Sequence, residues 1–205
     1  CLAVLLSGSL SAGGAGAGVP GQMIELAASE ETPVCAGPEG AEIIVVTGAG
    51  SGVRVADVLV SRLRECGVEQ VFFVPDSVNA HLVDALVRDT RIKSFAFDSE
   101  HSTCLAAEGY AKSAGKPAVV LVASGASSLN ALNGVANAWV DSCPLVVISG
   151  QSLTSQFADL AEGGLRQAAN KALNVVQIVA SVTKSAELVR DSLQATQAVD
   201  RALQL

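Results

Sequence analysis

Along most of the chain, short apolar runs alternate with stretches in which apolar residues recur every three or four positions. Gln70–Val74, Lys93–Phe97, Ala118–Ala123 and Leu145–Ser149 are rich in Val, Phe, Leu, Ile and Ala and bounded by Gly, Pro, Asp or Ser, which predicts strands. Glu42–Val46 (Glu-Ile-Ile-Val-Val) predicts an earlier one. Val53–Cys66 carries Val55, Val58, Leu59 and Leu63 on one helical face and stops at Gly67, the residue type that usually follows a last helical turn. Asn79–Val87, Glu100–Ser113 and the stretch from Ser127 to about Val140 predict further helices. Beyond Gln151 the alternation loosens. A helix around Ala168–Val176, a short strand near Ser181–Lys184 and a last helix from Asp191 are expected there.

Strand followed by helix, several times over, implies a doubly wound α/β fold: a mostly parallel sheet with helices on both faces. In such sheets ligands lie off the carboxyl ends of the strands. Those ends carry Pro75-Asp76-Ser77, Asp98-Ser99-Glu100, Ser124-Gly125-Ala126-Ser127 and Gly150-Gln151, which names the working face. Composition agrees: half of the residues are apolar but only 3% are aromatic, so small aliphatic side chains do the packing.

The formal charge of −7, without any cluster of Lys and Arg, argues against a nucleic-acid partner. The five cysteines form no Cys-x-x-Cys pair and only two histidines accompany them, so no metal-ligating set is expected and the thiols read as reduced. Cys104 and Cys143 lie in apolar surroundings and are expected in the core. Residues 1–52 are set apart as a low-complexity or targeting-like segment. Cys1–Gln22 is uncharged and rich in Gly, Ser and Ala, and Leu2–Leu6 is too short to cross a bilayer, so no membrane partner is implied. A plain disordered tail fits as well as a targeting remnant. The cytoplasm or an organelle interior (mitochondrion or plastid) is the expected compartment.

Glu100 opens a helix directly after Asp98-Ser99, with Cys104-Leu105-Ala106-Ala107 following. The helix N-terminus favours its charged form and burial its protonated form, so it is suited to sharing a proton with a ligand nitrogen. An ordinary first-turn acid satisfying the helix dipole is the plainer reading of position alone. A second motif, Thr47-Gly-Ala-Gly-Ser-Gly52, resembles the nucleotide loop of short-chain dehydrogenases, in which glycines let the backbone approach a pyrophosphate. Against it, Arg54 stands where the last glycine belongs, and Tyr110 is followed four residues on by Ala114 rather than by Lys. A flexible Gly/Ser joint is the simpler account of Gly48, Gly50 and Gly52.

Six pieces in order resemble the N-terminal, pyrimidine-binding domain of thiamine-diphosphate enzymes of the acetolactate-synthase kind. They are Leu63–Pro75, Ser99-Glu100, Ala106–Gly115, Ser124-Gly125 with Asn130 and Gly134, Asp141–Gln151, and Val182-Thr183-Lys184 with Leu188–Asp191. The resemblance implies the thiamine-diphosphate-binding fold over residues 53–205. It implies that Glu100 hydrogen-bonds N1′ of the cofactor's aminopyrimidine and favours the tautomer that takes the thiazolium C2 proton. The cofactor then acts as the electron sink for decarboxylation or coupling of a 2-oxo acid. Pro75, Asp76, Ser77, Ser124, Gly125, Ala126 and Gln151 are the implied lining.

Three loops depart from the family pattern. Pro75-Asp76-Ser77 stands for Pro-Gly-Gly, Gly125-Ala126-Ser127 for Gly-Pro-Gly, and Leu165-Arg166 for Phe-Gln. These put acetolactate synthesis itself in question and leave decarboxylase, oxidase-like or non-catalytic relatives open. His101 beside Glu100 reads as a solvent-facing residue. The Gly-Asp-Gly of the family's diphosphate-binding domain is also missing, so magnesium is expected on another domain. A truncated piece of a longer enzyme, or one subunit of a split enzyme acting as a homo-oligomer or with a second chain, is implied. Two other readings stay open: a nucleotide-binding oxidoreductase using Gly48, Gly50 and Gly52, and a non-catalytic dimerising scaffold.

Overall fold

The computed structural model describes residues 2–6, 54–151, 173–189 and 192–204. The expected strand Glu42–Val46, the glycine motif 47–52 and the Leu165-Arg166 pair lie outside the described residues. In chain order the elements are β1 (Leu2–Leu6), α1 (Val55–Glu65), β2 (Gln70–Phe73), α2 (Ala80–Arg88), β3 (Lys93–Ala96), α3 (Glu100–Ala114), β4 (Ala118–Val122), a 3₁₀ turn (Ser128–Ala131), α4 (Leu132–Val140), β5 (Leu145–Ser149), α5 (Val175–Val179), β6 (Ser185–Val189) and α6 (Ser192–Gln204). The six strands run β3-β2-β4-β5-β1-β6, and every pairing is parallel.

The pleat of the central strands divides their side chains between two cores. Val71, Phe73, Val119, Leu121, Val146 and Ile148 meet Leu59, Val60 and Leu63 of α1, Leu86 of α2 and Val199 of α6. Phe72, Val120, Val122, Leu145 and Val147 point the other way, onto Cys104, Ala107 and Ala111 of α3 and Val135 and Ala138 of α4. Strands β4 and β5 are buried along their whole length, as near-continuous aliphatic runs require in a parallel sheet. Each fully buried Val or Leu contributes about 1.5–3 kcal/mol.

Local signals set the element ends. Helix α1 closes at Gly67, whose φ is +81°. The Gly67 N–H donates to Arg64 O (2.9 Å) and the Val68 N–H to Leu63 O (3.0 Å), the paired backward bonds of a Schellman motif. Of the helix expected around Ala168–Val176, residues 168–172 lie outside the described residues and α5 covers Val175–Val179; the strand expected near Ser181–Lys184 begins instead at Ser185. Val175 and Val179 sit one helical turn apart and are both buried, so this apolar run follows a helical rather than an extended period. The Thr183 hydroxyl then donates to Val179 O (3.0 Å), and pairing with β1 starts with Ser185 opposite Leu2. Leu2–Leu6, assigned from the sequence to a low-complexity or targeting-like segment, occupies the sheet position between β5 and β6.

Candidate functional site

Because the strands are parallel, the loops after β2, β3, β4 and β5 emerge at one edge of the sheet. After β2, the Val74 N–H prolongs the ladder by donating to Leu121 O (3.1 Å). Pro75-Asp76-Ser77 is then pinned from within. Asp76 Oδ1 accepts from the Val78 N–H (3.1 Å) and lies 3.2 Å from the Ser77 hydroxyl that donates to it. Asn79, which is 3% exposed, reaches back: its Oδ1 accepts from the Asp76 N–H (3.0 Å) and its Nδ2 donates to Val74 O (2.9 Å).

The loop after β4 is folded by two successive turns, with the Ser127 N–H donating to Ser124 O (3.2 Å) and the Ser128 N–H to Gly125 O (3.1 Å). The Ser128 hydroxyl adds a buried bond to the same Gly125 carbonyl at 2.7 Å. Gly125 has φ +55°, Ser124 is buried and Ala126 is exposed. Across from it the Ser149 hydroxyl donates to Ala123 O (2.8 Å), and the Gly150 N–H to Val122 O (3.1 Å). A Cβ on Gly150 would lie 2.3 Å from Val78 Cγ2, so the loop after β2 rests directly on the end of β5. Only glycine permits that approach. Gln151, next in the chain, is 1% exposed.

Glu100 is the first residue of α3. Ser99 before it is extended (φ −145°, ψ 131°) and makes no side-chain cap. Instead Thr103 secures the turn, its N–H and hydroxyl both donating to Ser99 O, at 3.0 and 2.6 Å. Glu100 itself is 8% exposed, and among the described residues no group donates a hydrogen bond to its carboxylate. One turn on, burial and then the charges of Glu100 and Glu108 push the Cys104 thiol up to about 12, so it stays protonated and unreactive at neutral pH. Gly134 of α4 sits against this turn. A Cβ there would come within 2.5 Å of Cys104 Cβ, which holds α3 and α4 in close contact below the loop after β4. His101 is exposed.

The architecture is thus a parallel sheet with loops interlocked at one edge and a buried acid opening a helix beside them. The family model "Thiamine pyrophosphate enzyme, N-terminal TPP binding domain" matches residues 53–178. The chain belongs to this family of thiamine pyrophosphate enzymes. Among curated proteins it is 35% identical over 136 residues to acetolactate synthase 3, chloroplastic, of Brassica napus, covering 66% of this chain and 20% of that protein. It is 35% identical over 136 residues to the chloroplastic acetolactate synthase of Arabidopsis thaliana, covering 66% of this chain and 19% of that one. The acetolactate synthase large subunit of Lactococcus lactis is 40% identical over 96 residues, covering 47% of this chain and 17% of that protein. The chain therefore spans about a fifth of the length of the first two relatives.

Within this thiamine pyrophosphate enzyme domain, the residues singled out from sequence gather at one edge. Pro75, Asp76 and Ser77 follow β2, Glu100 opens α3 after β3, Ser124, Gly125 and Ala126 follow β4, and Gln151 follows β5. Sequence reading passed over Asn79, Val78 with Gly150, and the Ser128 and Ser149 hydroxyls. Asn79 was legible as a helix-start residue, but an Asn in that place normally bonds forward to the helix's own amides. An open cleft of about 410 Å³ lies elsewhere, against α1, α2 and the turn after α2. Its Asp57, Arg88, Asp89 and Arg91 are already engaged in ion pairs. Among the described residues, no group of three or more His, Cys, Asp or Glu stands together as a metal site, and no helix is long and apolar enough to cross a membrane.

Proposed function

We propose that residues 53–205 supply the pyrimidine-side half of a thiamine-diphosphate site in an enzyme that decarboxylates or couples 2-oxo acids. The observation that carries this is Glu100: a carboxylate at the mouth, 8% exposed, with no donor among the described residues. A carboxylate at the loop edge that no protein group engages can accept a hydrogen bond from a ligand. A pyrimidine ring nitrogen that shares a proton with the carboxylate is such a donor. When bound, the cofactor supplies the electron sink for cleavage next to a carbonyl.

The remaining work belongs to this chain's own residues. Glu100 holds the proton at N1′ and thereby sets the protonation of the ring's amino group. Thr103, bonded twice to Ser99 O, fixes the first turn of α3 and with it the direction from which Glu100 meets the ligand. Pro75, Asp76, Ser77, Ser124, Gly125, Ala126 and Gln151 line the half-site. A second copy, or another chain carrying the diphosphate-binding domain, would hold the magnesium and diphosphate. Related plant proteins named chloroplastic make a plastid the leading compartment, beside the cytoplasm and mitochondrion.

The test is calorimetric titration of thiamine diphosphate with magnesium into this chain, alone and with a diphosphate-domain partner from the same source. Binding only with the partner, weakened at least tenfold by Glu100→Gln, is the expected result. Absence of binding in both conditions by a cooperatively folded protein sinks the proposal and leaves a dimerising scaffold.

A further inference from the structure

Asn79 stands at the N-terminal boundary of α2, yet its side chain makes no capping bond to that helix. Asn is favoured at such positions because its oxygen can accept from the first-turn amides. Here the amide is turned back, and both of its polar groups serve the loop. Its Oδ1 takes the Asp76 N–H and its Nδ2 gives to Val74 O, at 3.0 and 2.9 Å. The backbone closes the same turn, with the Asn79 N–H donating to Asp76 O (3.2 Å). Asn79 is 3% exposed, so these bonds form where water competes least.

The partners require an amide. Val74 offers an acceptor and Asp76 a donor, and a short side chain holding one of each satisfies both. Asp offers acceptors alone and would set a charge against the Val74 carbonyl; Ser is too short to span both groups. Held in this way, Val78 is seated on Gly150, in the space a Cβ would fill, so the clamp also sets how the loop after β2 lies over the end of β5. The Asp76 carboxylate closes the loop on itself through the Val78 N–H and the Ser77 hydroxyl, and the Asn79 amide ties that closed loop back to the end of β2 at Val74 O.

We propose that Asn79 is a positioning residue of the half-site, fixing Pro75-Asp76-Ser77 for cofactor contact through its two backbone bonds. The proposal rests on the thiamine-diphosphate reading above. Asn79 touches no cofactor atom; it acts through the loop.

The experiment compares Asn79→Ala with Val199→Ala, a core truncation on α6 that also lowers stability. Thiamine diphosphate and magnesium are titrated into each variant with the diphosphate-domain partner, well below both unfolding temperatures, and amide exchange of residues 74–79 is followed. Asn79→Ala should weaken binding roughly tenfold and speed exchange at Asp76 and Val78 by a similar factor, as loss of buried bonds predicts. Val199→Ala should change neither by more than about twofold, since distant core changes act on global stability. Equal weakening by both variants, or binding by Asn79→Ala equal to the parent's, overturns the proposal. If Asn79→Ala fails to fold, Asn79→Asp, which keeps the acceptor for the Asp76 amide, takes its place, and parental affinity again overturns it. Failure of the parent itself to bind with its partner is seen before any substitution; it removes the functional reading and this inference with it.

Discussion

The two faces of the sheet are held by different physics. On the α1–α2–α6 side, the apolar core is ringed by ion pairs: Arg54 to Asp57 and Asp84, Arg88 to the same two acids, Arg64 to Asp89 and Arg62 to Asp200. On the α3–α4 side, small residues let backbones approach, with Cys104, Ala107, Ala111, Ala131 and Ala138 buried and Gly134 against Cys104. The first face tolerates adjustment, because most of its charged groups are partly solvated and an exposed pair is worth at most about 1 kcal/mol. The second leaves no room for a Cβ where Gly134 meets Cys104. That rigid side carries Glu100, so the candidate acid is mounted on the face whose geometry is set by close packing.

The sharpest break of this comparison is Arg62→Met. Asp200 is 6% exposed and its carboxylate lies 2.5 Å from Arg62 Nε. That hydrogen bond, above all, holds the Arg62 guanidinium above its ordinary value against the opposing effect of burial. Removing the cation leaves a buried charge unpaired and should cost about 3–5 kcal/mol in denaturant unfolding. Adding Asp200→Leu should recover most of the loss. A cost below about 1 kcal/mol would show that this pair behaves like the exposed ones.

Next comes Gly134→Ala on the other face. The new methyl would overlap Cys104 Cβ, and the expected cost is about 1–3 kcal/mol with reduced protection of the Glu100–Cys104 amides. Pairing it with Cys104→Ala tests whether helix separation alone is responsible, because that double variant still places two Cβ atoms in conflict and should not be rescued.

The smallest effect is a pH dependence at Asp89. Burial pulls its carboxyl upward, but the Arg91 amide and the Arg64 and Arg91 guanidiniums outweigh it and hold the group below the ordinary aspartate value. A depressed folded-state value means a stabilisation present above the unfolded aspartate value of about 3.9 and lost as pH falls through the lower, folded one. The stability difference between the parent and Asp89→Asn should therefore be flat from neutral pH to about pH 5 and shrink below about pH 4. A difference that grows on acidification would refute the assignment.

Much of the fold was legible from the chain. The aliphatic runs at Ala118–Val122 and Leu145–Ser149 are nearly unbroken, and a strand buried on both faces has little freedom to be anything else. Gly67 announced the end of α1 for a local reason, a backbone conformation that other residues rarely adopt. At the site, Glu100 was legible because a strand end, a helix start and an apolar continuation coincide within a few residues. Asn79 was not, because its partners are backbone groups behind it and its residue type equally fits a forward cap. The shift of β6 to Ser185–Val189 had a similar cause: apolar residues at 178–182 suit strand or helix, and long-range pairing chose.

What the sequence determined by itself is therefore the order of strands and helices from α1 to β5, the edge at which their loops meet, and the placing of a carboxylate at that edge. Each follows from periodicity, backbone preference or burial over a few neighbouring residues. Only the tertiary structure decided that Leu2–Leu6 pairs between β5 and β6, that Val78 comes to rest on Gly150, and that Asn79 turns away from its own helix. Those outcomes depend on which surfaces meet across the sheet. Hydrogen bonds and close contacts between distant segments form only where the whole fold excludes water and brings the partners together.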